Sequence, residues 1–298
     1  MAPPTANGAA KTTTETTTTD ISPTTSNVDS ESQNFNNHGS MSDDKPTRLT
    51  RLRRHMAQDV HEDWTDVILV ILSFITGMVD AAVFNTWSCF VGMQTGNTVY
   101  VGLGISGQPY SQPYRWAKSG TAISSFCFGC YVWSRLSRKM KPLARSTIVL
   151  TMVVQIVLTF AVCIMVWTGF VPHDAGDRIP KDCIVLLPLS LLGFQSALQI
   201  VMSRFLGFNE LPTVVLTSTY CDLFMDPKLF TTPIARGGNL KRNRRFLSII
   251  ALVVGAAASG FLTEGGDISQ PLWITSVLKI LVTAVWLFWP GKGQIRLE

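Results

Sequence analysis

Charge is scarce in this chain. Asp, Glu, Lys and Arg make up 15% of its 298 residues, against 46% that are hydrophobic. A soluble core of this length needs polar outer faces on its helices, and the segments from Asp66 onward lack them. Histidine is rarer still: His38, His55, His61 and His173 all fall in the N-terminal region or in a loop. The apolar segments therefore hold no imidazole for a metal site or for nucleophile activation. The six cysteines are scattered, and Cys127 and Cys130 have a CxxC spacing without further Cys or His beside them. Neither a disulfide framework nor a zinc site is expected. Gly102-Leu103-Gly104-Ile105-Ser106-Gly107 fits a dinucleotide pattern but lacks the preceding strand and the acidic residue about 20 positions on. No catalytic set, cofactor, metal or nucleic-acid partner is expected; the basic run Lys241 to Arg245 reads as an orientation signal or a contact with anionic lipid.

Long apolar runs are present instead. Segments 66–85, 88–107, 115–134, 147–169, 183–203, 211–225, 246–263 and 271–289 recur through the chain, most of them long enough for roughly 30 Å of hydrocarbon. The lipid bilayer is the expected environment. The first 65 residues differ, with the run Thr12-Thr13-Thr14-Glu15-Thr16-Thr17-Thr18-Thr19 and little to bury, and are expected to be a disordered cytoplasmic tail. Nine acidic against six basic residues argue against a transit peptide there, and no leading apolar run suggests a cleaved signal. Residues 66–290 form the expected membrane domain, in halves 66–169 and 183–289, and 291–298 a short cytoplasmic tail.

Loop charges set the expected topology. Arg135, Arg138, Lys139, Lys141 and Arg145 mark one loop as cytoplasmic, Lys228, Arg236, Lys241, Arg242, Arg244 and Arg245 another, and Arg48, Arg51, Arg53 and Arg54 the N-terminal side. The 170–182 and 264–270 loops are poor in cations and belong to the opposite face. Three candidate segments lie between the cytoplasmic N-terminus and the 135–145 loop, where an even number of crossings is required. The segment 88–107 is the one that does not span, and by the same count 211–225 does not. The expected fold is all-α: a polytopic helix bundle of six spans plus two re-entrant half-helices, arranged as a 3+3 inverted repeat with both termini cytoplasmic. Gly77-Met78-Val79-Asp80-Ala81 and Gly193-Phe194-Gln195-Ser196-Ala197 mark the corresponding first helices.

Each of those helices is followed by a polar knot. The first is Gln94-Thr95-Gly96-Asn97-Thr98 and the second Thr217-Ser218-Thr219. Unpaired polar groups are costly in hydrocarbon, so two knots in corresponding places point to a paired site at membrane depth. A half-helix over 98–107 would span about 15 Å. With Thr95 or Asn97 as its cap, it would turn its N-terminus toward an anionic or hydrogen-bonding solute. Asp80, a carboxylate inside an apolar helix, marks an ion or substrate path. Asp80, Gln94, Thr95, Gly96, Asn97, Thr98, Gln195, Thr217, Ser218 and Thr219 are the expected substrate-binding residues.

The stretch Gly77 to Ala81, the Gln94–Thr98 knot, the Gly193–Ala197 helix and Thr213 through Asp222 together resemble the YoaK-like family of membrane proteins, a domain of unknown function found in bacteria and fungi. The resemblance covers about 65–290. It implies the membrane fold but no particular activity, and the Thr/Ser-rich tail looks like a fungal addition. Ser218 stands where relatives often place Gly. The expected function is secondary transport of a small polar or anionic solute. The alternatives are a non-transporting scaffold or accessory subunit and, less favoured, an intramembrane hydrolase pairing Asp80 with Asp222.

Overall fold

The computed structural model describes residues 47–61, 63–108, 110–112, 114–171, 183–230, 238–263 and 267–292. Nine α-helices are found among the described residues: α1 Arg48–Ala57, α2 Thr65–Trp87, α3 Gln94–Ile105, α4 Arg115–Lys139, α5 Arg145–Trp167, α6 Leu186–Phe205, α7 Thr217–Phe224, α8 Leu240–Leu262 and α9 Ser269–Phe288. Five of them, α2, α5, α6, α8 and α9, are long and apolar enough to cross a membrane. The 25 residues of α4 extend about 37 Å, enough in length, but its serines and Lys118 make it less apolar.

Helices α3 and α7 are too short to cross. α3 has 12 residues, about 18 Å, and α7 has 8, about 12 Å, against a hydrocarbon core of about 30 Å. α3 stops where Gly107 adopts φ 72°, and the Gln108 N–H bonds back to the Leu103 carbonyl. Its start is at Gln94, four residues earlier than the sequence suggests.

Side-chain contacts tie the helix ends into two groups. At one end, Arg244 on α8 pairs with Asp66 on α2 at 2.9 Å and with Glu210 after α6 at 3.1 Å. There too Arg245 pairs with Asp222 on α7 at 3.3 Å. The Arg145 guanidinium at the start of α5 donates to the carbonyls of His55 and Trp289, joining α1, α5 and the end of α9. At the other end, Lys118 near the start of α4 donates to the Trp87 carbonyl closing α2, 3.2 Å away. Asn85 on α2 likewise meets Thr263 beyond α8 at 3.2 Å. The chain thus leaves α2 and enters α4 at the same end, and the segment carrying α3 dips in and returns.

Residues 47–61, assigned by the sequence to the tail, are a correction. They form α1 and a strap that bridges Asp59 to Ala144 and Val60 to Gly291, with the His61 N–H on the Pro290 carbonyl at 3.0 Å. Gly291 and Lys292, expected in the C-terminal tail, belong to the same clasp. The rest of the expected tails, 1–46 and 293–298, lies outside the described residues, as do most of the 170–182 loop and Arg236. α8 also begins six residues ahead of the expected 246, because Lys241 to Arg245 carry helix into the charged end, where Asn239 caps it by accepting from the Arg242 N–H at 3.1 Å.

The helices pair most extensively as α2 with α8, α4 with α6 and α5 with α9, followed by α3 with α4, α5 with α6, α2 with α9 and α7 with α8. Glycine makes two of these contacts close. A Cβ on Gly77 would lie 2.1 Å from the Leu252 carbonyl oxygen, and one on Gly193 3.0 Å from that of Ala122.

Candidate functional site

Asp80 is buried two helical turns before the end of α2. Its Oδ1 accepts from the backbone N–H groups of Val91 and Gly92, both at 2.8 Å. The irregular segment 88–93 therefore turns back beside α2, and its amides, unable to find water at that depth, find a carboxylate. Oδ2 of Asp80 has no hydrogen-bond partner among the described residues. Gly92 is required here: a Cβ on it would stand 2.8 Å from Asp80 Oδ2 and 2.8 Å from a methyl of Val214. Val214 belongs to the segment leading into α7, so the two lead-in segments meet beside the carboxylate. In that second segment Thr213 is fully buried at φ 59°, costly for a β-branched residue, and its hydroxyl has no partner among the described residues.

Asn97 completes the first cluster in an unexpected direction. Neither it nor Thr95 caps α3, whose N-cap is Met93 without a side-chain cap bond. The Asn97 carbonyl oxygen instead accepts from the Phe90 N–H at 3.2 Å, and its amide donates to the Phe90 carbonyl at 2.6 Å and to Gln94 Oε1 at 2.9 Å. Starting one helical turn inside α3, the side chain reaches back and clamps the incoming segment. Gln94 Nε2 holds the Val91 carbonyl at 2.7 Å. With the Cys89 thiol also donating to the Asn97 oxygen at 3.5 Å, Asp80, Gln94 and Asn97 grip four consecutive residues, 89 to 92, and the Ser119 hydroxyl of α4 adds a 3.4 Å bond to Asn97. The ring of Phe90 covers Gly96.

The remaining knot residues lie elsewhere. Thr95, Thr98, Thr217 and Ser218 are exposed on the helix surfaces, Thr98 bonding the Gln94 carbonyl at 2.9 Å. Thr219 is buried and bonds back to the Val215 carbonyl at 3.4 Å. α7, like α3, begins without a side-chain cap. Asp222 is half exposed and ion-paired to Arg245, far in setting from the buried Asp80, so the carboxylate pair a hydrolase would use is not assembled.

A second cluster surrounds a residue that sequence reasoning missed. Lys279, wholly buried on α9, donates to Gln155 Oε1 on α5 at 3.1 Å and to Gln195 Oε1 on α6. Gln195 in turn donates to Ser196 at 3.0 Å. Two sequence signals lead to it: a lysine in the middle of an apolar run, and an internal likeness. Thr151-Met-Val-Val-Gln155-Ile-Val-Leu-Thr159 and Thr275-Ser-Val-Leu-Lys279-Ile-Leu-Val-Thr283 share their threonine frame. Thr159 bonds the Gln155 carbonyl at 2.9 Å, and Thr283 the Lys279 carbonyl at 2.7 Å. Each central residue stands ten positions into its helix (145 to 155, 269 to 279), and the two central residues bond each other.

The fold and its two buried polar clusters define a polytopic helical membrane protein. Its family is the one described as protein of unknown function (DUF1275), whose model matches residues 68–285, and the chain belongs to it. Comparison with curated proteins and with solved structures finds no match.

Proposed function

We propose that this protein is a secondary carrier of a small polar or anionic solute, made of two inverted halves. Each half has three spans and a half-helix: α2, α4 and α5 with α3, then α6, α8 and α9 with α7. The observation that carries this reading is an exchange property of the helix contacts. Replacing α2 by α6, α3 by α7, α4 by α8 and α5 by α9 turns the α2–α8 pair into α6–α4, α3–α4 into α7–α8 and α5–α6 into α9–α2, all of them real pairs, and leaves α5–α9 unchanged. An odd number of spans per half inverts the second copy, which is how many carriers place a site near mid-membrane.

Other features support it. The unpartnered Asp80 Oδ2 and Thr213 hydroxyl belong to the place where the two lead-in segments meet. Trp116, Thr121, Ser124, Ser125 and Phe128 of α4 line, with Ser190 of α6, an open groove of about 610 Å³. The basic clusters of the helix-end group containing Arg145, Arg244 and Arg245 favour the cytoplasmic side for it.

The full protein reconstituted in sealed vesicles tests the proposal. Uptake of at least one member of a panel of small polar and anionic solutes should saturate with concentration and fall at least tenfold in Asp80→Asn. Absence of protein-dependent uptake across the panel would favour the scaffold reading, which the nearly complete bonding of Asn97 also suits.

A further inference from the structure

We propose that Lys279, Gln155 and Thr275 form a binding site for a small monovalent anion, a carboxylate or an inorganic oxyanion. This deepens the carrier reading and rests on it for the solute's identity as cargo. Lys279 is buried to zero exposure and has no ion pair among the described residues; only two neutral amide oxygens face its ammonium. A charged ammonium in so dry a place is costly without a counter-charge, and an anion bound beside it would supply one.

The surrounding donors lack acceptors in the same way. An ammonium carries three N–H bonds, and two are used. Gln155 Nε2 reaches only the Met152 sulfur, at 3.8 Å, a weak acceptor. Thr275, fully buried one turn before Lys279, has a hydroxyl with no partner among the described residues. Long helical side chains lean toward the helix N-terminus, which brings the lysine stem over the Thr275 turn. Three donors of different kinds, one turn apart on α9 or bonded through Gln155, are thus short of strong acceptors among the described residues, and a hydrogen-bonded anion would supply them. One ammonium balances one negative charge, which selects monovalent species.

Gln195, whose amide donates to Ser196, accepts from the ammonium on the α6 side, as Gln155 does on the α5 side. The site is thus shared by α5, α6 and α9, helices that belong to both of the proposed halves.

The purified full chain in lipid nanodiscs is melted against rising sodium formate, acetate or nitrate, with sodium gluconate keeping ionic strength constant. At least one of the three small anions should raise the melting temperature saturably. Thr275→Val, which removes only the hydroxyl, should weaken the apparent affinity several-fold without lowering the melting temperature in gluconate. Lys279→Met should weaken it at least tenfold; should that variant fail to fold, Thr275→Val decides alone. Equal stabilisation by gluconate, or unchanged affinity in a folded variant, overturns the site. Saturable binding without flux in vesicles leaves the site standing and overturns the carrier, whereas flux of a neutral solute without anion binding does the reverse.

Discussion

One oxygen of Asp80 bonds two backbone amides and the other bonds nothing among the described residues, and this division separates its structural role from its charge. Asp80→Asn keeps an acceptor for Val91 and Gly92 and should leave the melting temperature close to the parent's. Asp80→Leu leaves two buried N–H groups unpaired, at about 1–3 kcal/mol each, and should melt well below it. Comparable losses in both variants would contradict the assignment of the two oxygens. Gly77 offers a packing test: Gly77→Leu drives a side chain into the Leu252 backbone and should cost about 1–3 kcal/mol or more, whereas Gly102→Ala meets nothing within 4 Å and should be nearly neutral in thermal melts. Outside the membrane, the Lys228 N–H, and after it the Asn239 amide, hold the Asp226 carboxyl below its ordinary range. Its folded pKa is depressed, so its contribution is present above the unfolded value and lost as pH falls through the folded one. Asp226→Ala should lower the melting temperature at about pH 7, and the difference should shrink as the pH falls below the ordinary carboxylate range.

At the scale of elements, α1 and its strap are held by Arg145, Leu143 and the end of α9, although ten residues with four arginines bury no residue of their own. Removing residues 1–46 should leave the melting temperature nearly unchanged. Removing 1–61 strips the partners of Arg145 and Trp289 and should lower it clearly. Equal melting of both truncations would show that the clasp contributes nothing. The same helix marks a limit of sequence reading, since its order depends on carbonyls and a guanidinium more than 80 positions away, which no local pattern encodes. α3 and α7 were legible as non-spanning because polarity and loop charge both spoke against a crossing. Asn97 was legible as special but not in its direction, because a knot pattern cannot tell a cap from a clamp on the preceding segment. Lys279 was passed over because the apolar run around it reads as an ordinary span.

For the whole molecule, the proposed two-half arrangement pairs positions that differ in charge. Asp80 in the first half answers Ser196 in the second, and Lys279 in the second answers Gln155 in the first. Under that proposal each half places an ionisable group where its counterpart is neutral, which would let the two ends of a transport cycle be unequal. Topology is checked by single cysteines on a cysteine-free background: positions 139 and 241 should label from the cytoplasmic side and position 267 from the other, and outside labelling of 139 would overturn six spans. Carrier action itself is tested most directly by counterflow, in vesicles of reconstituted protein loaded with one unlabelled solute of the panel and exposed to a trace of the same solute in labelled form. A carrier exchanges one for the other, so the label should accumulate transiently above its outside concentration, and Asp80→Asn should abolish that overshoot. Labelled solute that never exceeds equilibrium, for every solute tested and with the protein folded, would contradict the account.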